Sequence, residues 1–173
     1  MTVSTREVHD SREYLDSIRP MYGRIQVAAY MGRVLGPANP VFEPVLFERV
    51  SERGGFWQGI TGGAEEYDDT LIDAIRREII EETGLEIARE RLIPLPSNVF
   101  QFETESTGKH IEHSFALAIT PDELGIMEVN VGEHTAFSVG SLETQIKRLK
   151  FEENQRALTV AAQVVALSIA KGN

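Results

Sequence analysis

Hydrophobic and polar positions follow two rhythms along the chain. Residues 24–32 (RIQVAAYMG) and 41–49 (VFEPVLFER) are short apolar-rich runs separated by Gly36-Pro37-Ala38-Asn39-Pro40, and they predict two strands joined by a turn. Residues 56–60 predict another short strand, running into the Gly62-Gly63 pair. Residues 98–105 and 110–120 predict a pair of strands around Thr107-Gly108, and 133–139 one more. A helical period takes over at 70–83, 142–149 and 153–171, where Leu158, Ala162, Val165 and Ile169 share one side of the last helix. Residues 4–18 are polar with apolar spots at Val8, Tyr14, Leu15 and Ile18, a pattern expected to form a short helix ahead of the main fold. Strands with helices in the middle and at the end predict an α/β fold, a mixed sandwich in one domain. Residues 1–20 are read as an N-terminal extension and 21–173 as that domain.

Composition narrows the function classes. A chain of 173 residues with 42% apolar and 25% charged positions is expected to bury one core. Cysteine is absent, which excludes disulfides, thiolate metal sites and a Cys nucleophile. The first ten residues carry charges where the apolar core of a secretory signal would lie, so a cytoplasmic location is expected. The longest apolar stretch, 158–170, is too short to cross a bilayer, and no membrane partner is expected. A formal net charge of −10 argues against a nucleic-acid polymer as partner. A small polyphosphate remains compatible if divalent cations stand between it and the protein carboxylates.

The helix at 70–83 concentrates the candidate chemistry. Thr70 followed by Asp73 predicts a weak capping box, and Gly84 stands where a C-terminal cap is wanted. Ile72, Ile75 and Ile79 fall on one stripe and are expected to face the core. Glu78, Glu81 and Glu82 project from one side that adjoins this stripe. Like charges at i and i+4 cost about 0.2–0.5 kcal/mol per pair even when exposed, and partial burial raises that cost. Arg77, four residues before Glu81, relieves one charge; a hard divalent cation such as Mg2+ would relieve the others. A solvated acidic helix face is the plainer alternative, since glutamate is a good helix former.

The spacing around the helix decides between them. Gly63, then Asp69, then Arg77-Glu78-Ile79-Ile80-Glu81-Glu82-Thr83-Gly84-Leu85 resembles the Nudix box, G-x5-E-x7-R-E-U-x-E-E-x-G-U with U apolar. Six of the seven fixed positions match, an agreement that chance gives about once in ten million windows. Asp69 replaces the first Glu of the pattern and puts the loop geometry in question before the metal face. The resemblance implies an α/β/α sandwich with a mixed β-sheet, and hydrolysis of a diphosphate linkage by water. It implies Glu78 and Glu82 as the main Mg2+ ligands, with Mn2+ as the alternative ion. Glu81 would be a further ligand or the group that orients or deprotonates the attacking water, held by Arg77. Gly62 and Gly63 would let the backbone approach metal and phosphate closely.

A narrower resemblance runs through Phe56-Trp57-Gln58-Gly59-Ile60-Thr61-Gly62, Gly132-Glu133-His134 and Glu153-Asn154-Gln155-Arg156-Ala157. These segments are similar to those of bacterial dihydroneopterin triphosphate pyrophosphatases, which also act on dATP. By that analogy Glu133 is a third metal ligand, and Arg24, Arg49, Thr61 and Asn154 are substrate contacts. Arg53 competes with Arg49, and Glu128 or Glu112 with Glu133. The implied partner is a nucleoside or pterin polyphosphate, bound by a monomer or a homodimer. A dinucleoside polyphosphate or ADP-ribose as substrate, and a non-catalytic nucleotide sensor, are the competing expectations. His110 and His113 are expected on opposite faces of a strand, without a third nitrogen ligand, and Trp57 in the core rather than stacked on a base.

Overall fold

The computed structural model describes residues 5–36 and 38–172. Ser4 and Pro37, which the expected N-terminal helix and first turn include, lie outside the described residues. In chain order the elements are α1 (Thr5–His9), α2 (Arg12–Ile18), β1 (Arg24–Leu35), β2 (Val41–Arg49), β3 (Trp57–Gln58), β4 (Ile60–Gly63) and α3 (Leu71–Thr83). They continue with β5 (Ile93–Thr104), β6 (Gly108–Ile119), α4 (Pro121–Ile126), β7 (His134–Val139), α5 (Leu142–Arg148) and α6 (Glu152–Ala170).

The strands form a mixed sheet in the order β3-β2-β1-β6-β5, with β4 added to β1 and β7 to β2. β1 is its spine. One of its edges pairs in parallel with β6 over Arg24 to Arg33, while the other pairs first with β4 and then with β2, both antiparallel. Because side chains alternate along a strand, β1 feeds two cores. Ile25, Val27, Ala29 and Met31 pack in a cluster with Ile72, Ile75 and Ile79 of α3, and Ala28 and Tyr30 pack in a second one with Leu158, Ala161 and Val165 of α6. Each fully buried isoleucine of α3 contributes about 1.5–3 kcal/mol of transfer free energy. The result is the expected α/β/α sandwich. Among the described residues no helix is long and apolar enough to cross a membrane.

Four details differ from the sequence expectation. Residues 4–18 give two short helices, with Ser11 capping the second by accepting from the Tyr14 amide. Residues 56–60 split into β3, which pairs with β2, and β4, which pairs with β1, the chain crossing between them at Gly59. β5 starts at Ile93 despite Pro94 and Pro96, because it is an edge strand with a register shift between Pro94 and Val99, where missing amide donors are tolerated. Helix α4 was not expected; Thr120, Pro121 and Glu123 build a full capping box at its start.

Candidate active site

Helix α3 begins where Thr70 accepts a hydrogen bond from the Asp73 amide at 3.1 Å. The reciprocal half of a capping box does not form. Asp73 instead accepts from the Thr70 hydroxyl at 2.8 Å and pairs with Arg89, its side chain being one methylene shorter than that of the usual Glu. The helix ends at Gly84, whose amide bonds the Ile80 carbonyl at 2.9 Å. Between these caps, the stripe that buries Ile72, Ile75 and Ile79 turns Glu78 and Glu82 inward at its margin.

A cleft of about 490 Å³ lies beside this margin and takes in Glu78, Glu81, Glu82 and Glu133, with Arg24, Arg49, Thr61, Gly62, Gly63 and Arg77 also on its wall. Glu78 is tightly enclosed. A Cβ built on Gly62 would fall inside the van der Waals envelope of all three carboxyl atoms of Glu78, so only glycine leaves room for it there. Arg77 Nη1 donates to Glu78 Oε1 at 2.6 Å and to Glu81 Oε2 at 3.3 Å, while Nη2 donates to the Gly63 carbonyl at 2.8 Å. Burial pushes the Glu78 carboxyl up to about 7, against the pull of Arg77 and with the help of Glu81 and Glu82. Glu82 is raised chiefly by burial and is opposed by a hydrogen bond to His134 Nε2 at 2.5 Å. Glu81 stays more than half exposed at its side chain.

Arginines line the cleft as well. Glu133 pairs with Arg53, whereas neither Arg24 nor Arg49 enters a salt bridge among the described residues. Arg49 therefore presents the freer guanidinium of the two candidates, with Phe56 stacked against it at 5.4 Å. Glu128 is exposed outside the cleft, and Glu112 is buried beneath it in the sheet. Thr61 accepts from Gln58 Nε2 at 3.2 Å. Asn154 is the one expected contact that the fold does not bring to the cleft. It lies half-buried in the first turn of α6, a helix spent on packing the opposite face of the sheet. Trp57 packs on the α6-side core with the Arg148 guanidinium 4.8 Å above its ring. His110 faces the cleft and His113 is buried against Tyr14, on opposite faces of β6 as expected.

Asp69, the departure from the box, sits at the surface and accepts from Arg12 Nη1 at 2.7 Å. The loop is held by its neighbour: Asp68 is buried, accepts from the Glu65 amide at 2.8 Å, and receives Arg77 on both oxygens at 3.2 and 2.9 Å. Sequence reasoning assigned no role to Asp68 as a partner of Arg77 or to His134 as a partner of Glu82. His134 stood in the Gly132-Glu133-His134 segment, but its contact reaches across 52 residues.

Among the described residues no three carboxylate or imidazole side chains already converge as a metal cage. The donor set nonetheless suits a hard divalent ion. Four glutamates share one polar cleft, and two of them are held above the ordinary carboxylate range by burial, an electrostatic load that a cation would remove.

Comparison with known proteins agrees with this geometry. The NUDIX domain family model matches residues 41–160, well over half of the chain. A curated relative, an octanoyltransferase of Myxococcus xanthus, is 34% identical over 148 residues; the match covers 84% of this chain but only 37% of that protein. A Nudix protein of Listeria monocytogenes superposes with a TM-score of 0.69 at 20% identity, covering 84% of this chain and 96% of that one. The E. coli dihydroneopterin triphosphate pyrophosphohydrolase gives 0.62 at 20% identity, with coverages of 81% and 95%. The chain belongs to the Nudix family.

Proposed function

We propose that the cleft performs Mg2+-dependent hydrolysis of a nucleoside or pterin triphosphate, resembling dATP or dihydroneopterin triphosphate, to the monophosphate and pyrophosphate. One observation carries this proposal: four glutamates share a single cleft with two arginines, Arg24 and Arg49, that enter no salt bridge among the described residues. That is the charge pattern a cation-bridged polyphosphate needs.

Glu78 and Glu82 would hold the ion, with Glu133 as a further ligand once Arg53 releases part of its grip. When bound, Mg2+ supplies positive charge to the phosphate oxygens and to the charge that develops on the leaving group. Arg24 and Arg49 hold the polyphosphate by its oxygens. Glu81, the most exposed of the box glutamates, aligns a water and accepts its proton while Arg77 fixes its carboxylate. The water oxygen bonds to the α-phosphorus, the bond from that phosphorus to the bridging oxygen breaks, and pyrophosphate leaves in one piece.

A second reading is a substrate with a sugar or nucleoside group at each end of the phosphate chain, such as a dinucleoside polyphosphate or ADP-ribose. It is favoured by a further hollow of about 470 Å³ that shares Arg24, Gly63 and Glu65 with the cleft and extends past Tyr22 and Thr107. Product analysis with Mg2+ separates the two. Intact pyrophosphate from dATP or dihydroneopterin triphosphate supports the first; turnover confined to dinucleoside polyphosphates or ADP-ribose supports the second. The 37% overlap leaves the acyl-transfer name attached to the whole of the Myxococcus protein, and nothing in the cleft calls for it.

A further inference from the structure

The segment before β1 reaches the catalytic loop directly. Leu15 and Ile18 of α2 are buried in the same core cluster as the isoleucines of α3, which brings Arg19 against the box loop. Arg19 Nη2 donates to two backbone carbonyls of that loop, Glu65 at 2.9 Å and Asp68 at 3.1 Å. These are the ends of one turn, since the Asp68 amide also bonds the Glu65 carbonyl at 3.1 Å. The Asp68 carboxylate closes the turn through the Glu65 amide and holds the Arg77 guanidinium with both oxygens. Arg77 in turn touches Glu78, Glu81 and the Gly63 carbonyl. An unbroken series of hydrogen bonds therefore runs from Arg19 through a single turn to two glutamates of the cleft.

We propose that Arg19 is a positioning residue, clamping the 65–68 turn so that Asp68 and Arg77 set the Glu78 and Glu81 carboxylates for the ion. The neighbouring Arg12–Asp69 pair lies at the surface, with side chains 69% and 65% exposed, and such pairs contribute little. Arg19 has a different standing. Its own side chain is only 26% exposed, and its acceptors are fixed main-chain oxygens. The clamp rests on the reading of the cleft as a cation-binding hydrolase site, and its test has arms that do not need turnover.

Arg19→Ala and Arg19→Lys in the full chain are compared with Arg6→Ala. Arg6 ties the same N-terminal segment to the Leu92 and Arg89 carbonyls, away from the box loop. Four quantities are read: kcat and KM for dATP with Mg2+, Mn2+ binding without substrate, amide exchange across residues 64–69, and the thermal midpoint. Arg19→Ala is expected to lower kcat and weaken Mn2+ binding by about 10- to 100-fold, the usual effect of losing an outer support of a metal site. KM for dATP should stay within about threefold, as Arg19 does not line the cleft. Exchange across 64–69 should quicken, Arg19→Lys should recover part of the loss, and added guanidinium should recover part in Arg19→Ala. Arg6→Ala should lower the midpoint while leaving kcat, Mn2+ binding and loop exchange near wild type. Wild-type Mn2+ affinity and loop exchange in Arg19→Ala, or losses that Arg6→Ala reproduces, would overturn the proposal. A wild-type protein that fails to hydrolyse dATP would count against that substrate, while Mn2+ binding and exchange would still decide on the clamp.

Discussion

Replacing Gly62 by alanine places one methyl group on the Glu78 carboxylate. The backbone at Gly62 is ordinary extended strand, paired with Val27, so alanine adds no conformational strain. All of the effect comes from the collision of the new Cβ with the three carboxyl atoms, which forces Glu78 out of its berth and away from Arg77. A charge-assisted hydrogen bond of this kind is worth about 1.5–3 kcal/mol, which corresponds to a fall of about 10- to 100-fold in kcat/KM if the geometry matters chiefly in the transition state. Folding should hardly notice. Burial and like charges already oppose the ionised Glu78, so its release towards solvent offsets the lost bond, and stability should change by no more than about 1 kcal/mol. Gly125→Ala is the control, because it lies in α4 outside the cleft and its Cβ would meet nothing within 4 Å. Activity should stay within about threefold of wild type. Steady-state hydrolysis of dATP with Mg2+ and urea unfolding of both variants provide the comparison. A Gly62→Ala enzyme of normal activity refutes the reasoning, as does equal impairment of the two variants.

Two further outcomes follow from buried groups. His134→Ala strips Glu82 of its hydrogen-bond partner in a site where both side chains are nearly inaccessible, and should cost about 3 kcal/mol in urea unfolding at pH 8; a cost below about 1 kcal/mol would show the contact to be incidental. Glu112 is 8% exposed, and burial pushes its carboxyl up to about 7. An unfolded chain releases that proton near 4.3, so the native state binds the proton more tightly between the two values and stability falls as pH rises through them, then levels off. Glu112→Gln should therefore gain about 2–4 kcal/mol over wild type at pH 8 and little at pH 4.5; an equal gain at both pH values would contradict the cause given.

The sequence was most legible where a single element carries the whole message. Thr70, the isoleucine stripe and Gly84 outline α3, and Glu78, Glu81 and Glu82 share that helix, so one period places them together. The sandwich was legible from the order of elements, strands with helices in the middle and at the end, and β1 indeed feeds an apolar cluster on each face. Contacts between distant segments were not legible. The His134–Glu82 bond joins residues 52 apart, and Arg19 reaches carbonyls 46 and 49 residues away. Main-chain acceptors such as these leave no trace in residue identity. Edge position and helix packing were not legible either. β5 begins at Ile93, earlier than the expected residue 98, on an edge that tolerates its prolines, and α6 leaves Asn154, a contact implied by resemblance, outside the cleft.

The central claim is that the glutamates of α3 drive cation-assisted hydrolysis of a phosphoanhydride. Glu82→Gln keeps the shape of a side chain that is 3% exposed and removes its charge. The most direct test follows pyrophosphate release from dATP and dihydroneopterin triphosphate with Mg2+ for wild type and Glu82→Gln side by side, with thermal melting of each. The account predicts wild-type turnover and a loss of at least about 100-fold in the variant, with the fold retained. A fully active Glu82→Gln enzyme, or a wild-type protein inert towards every phosphoanhydride with Mg2+ or Mn2+, would contradict it.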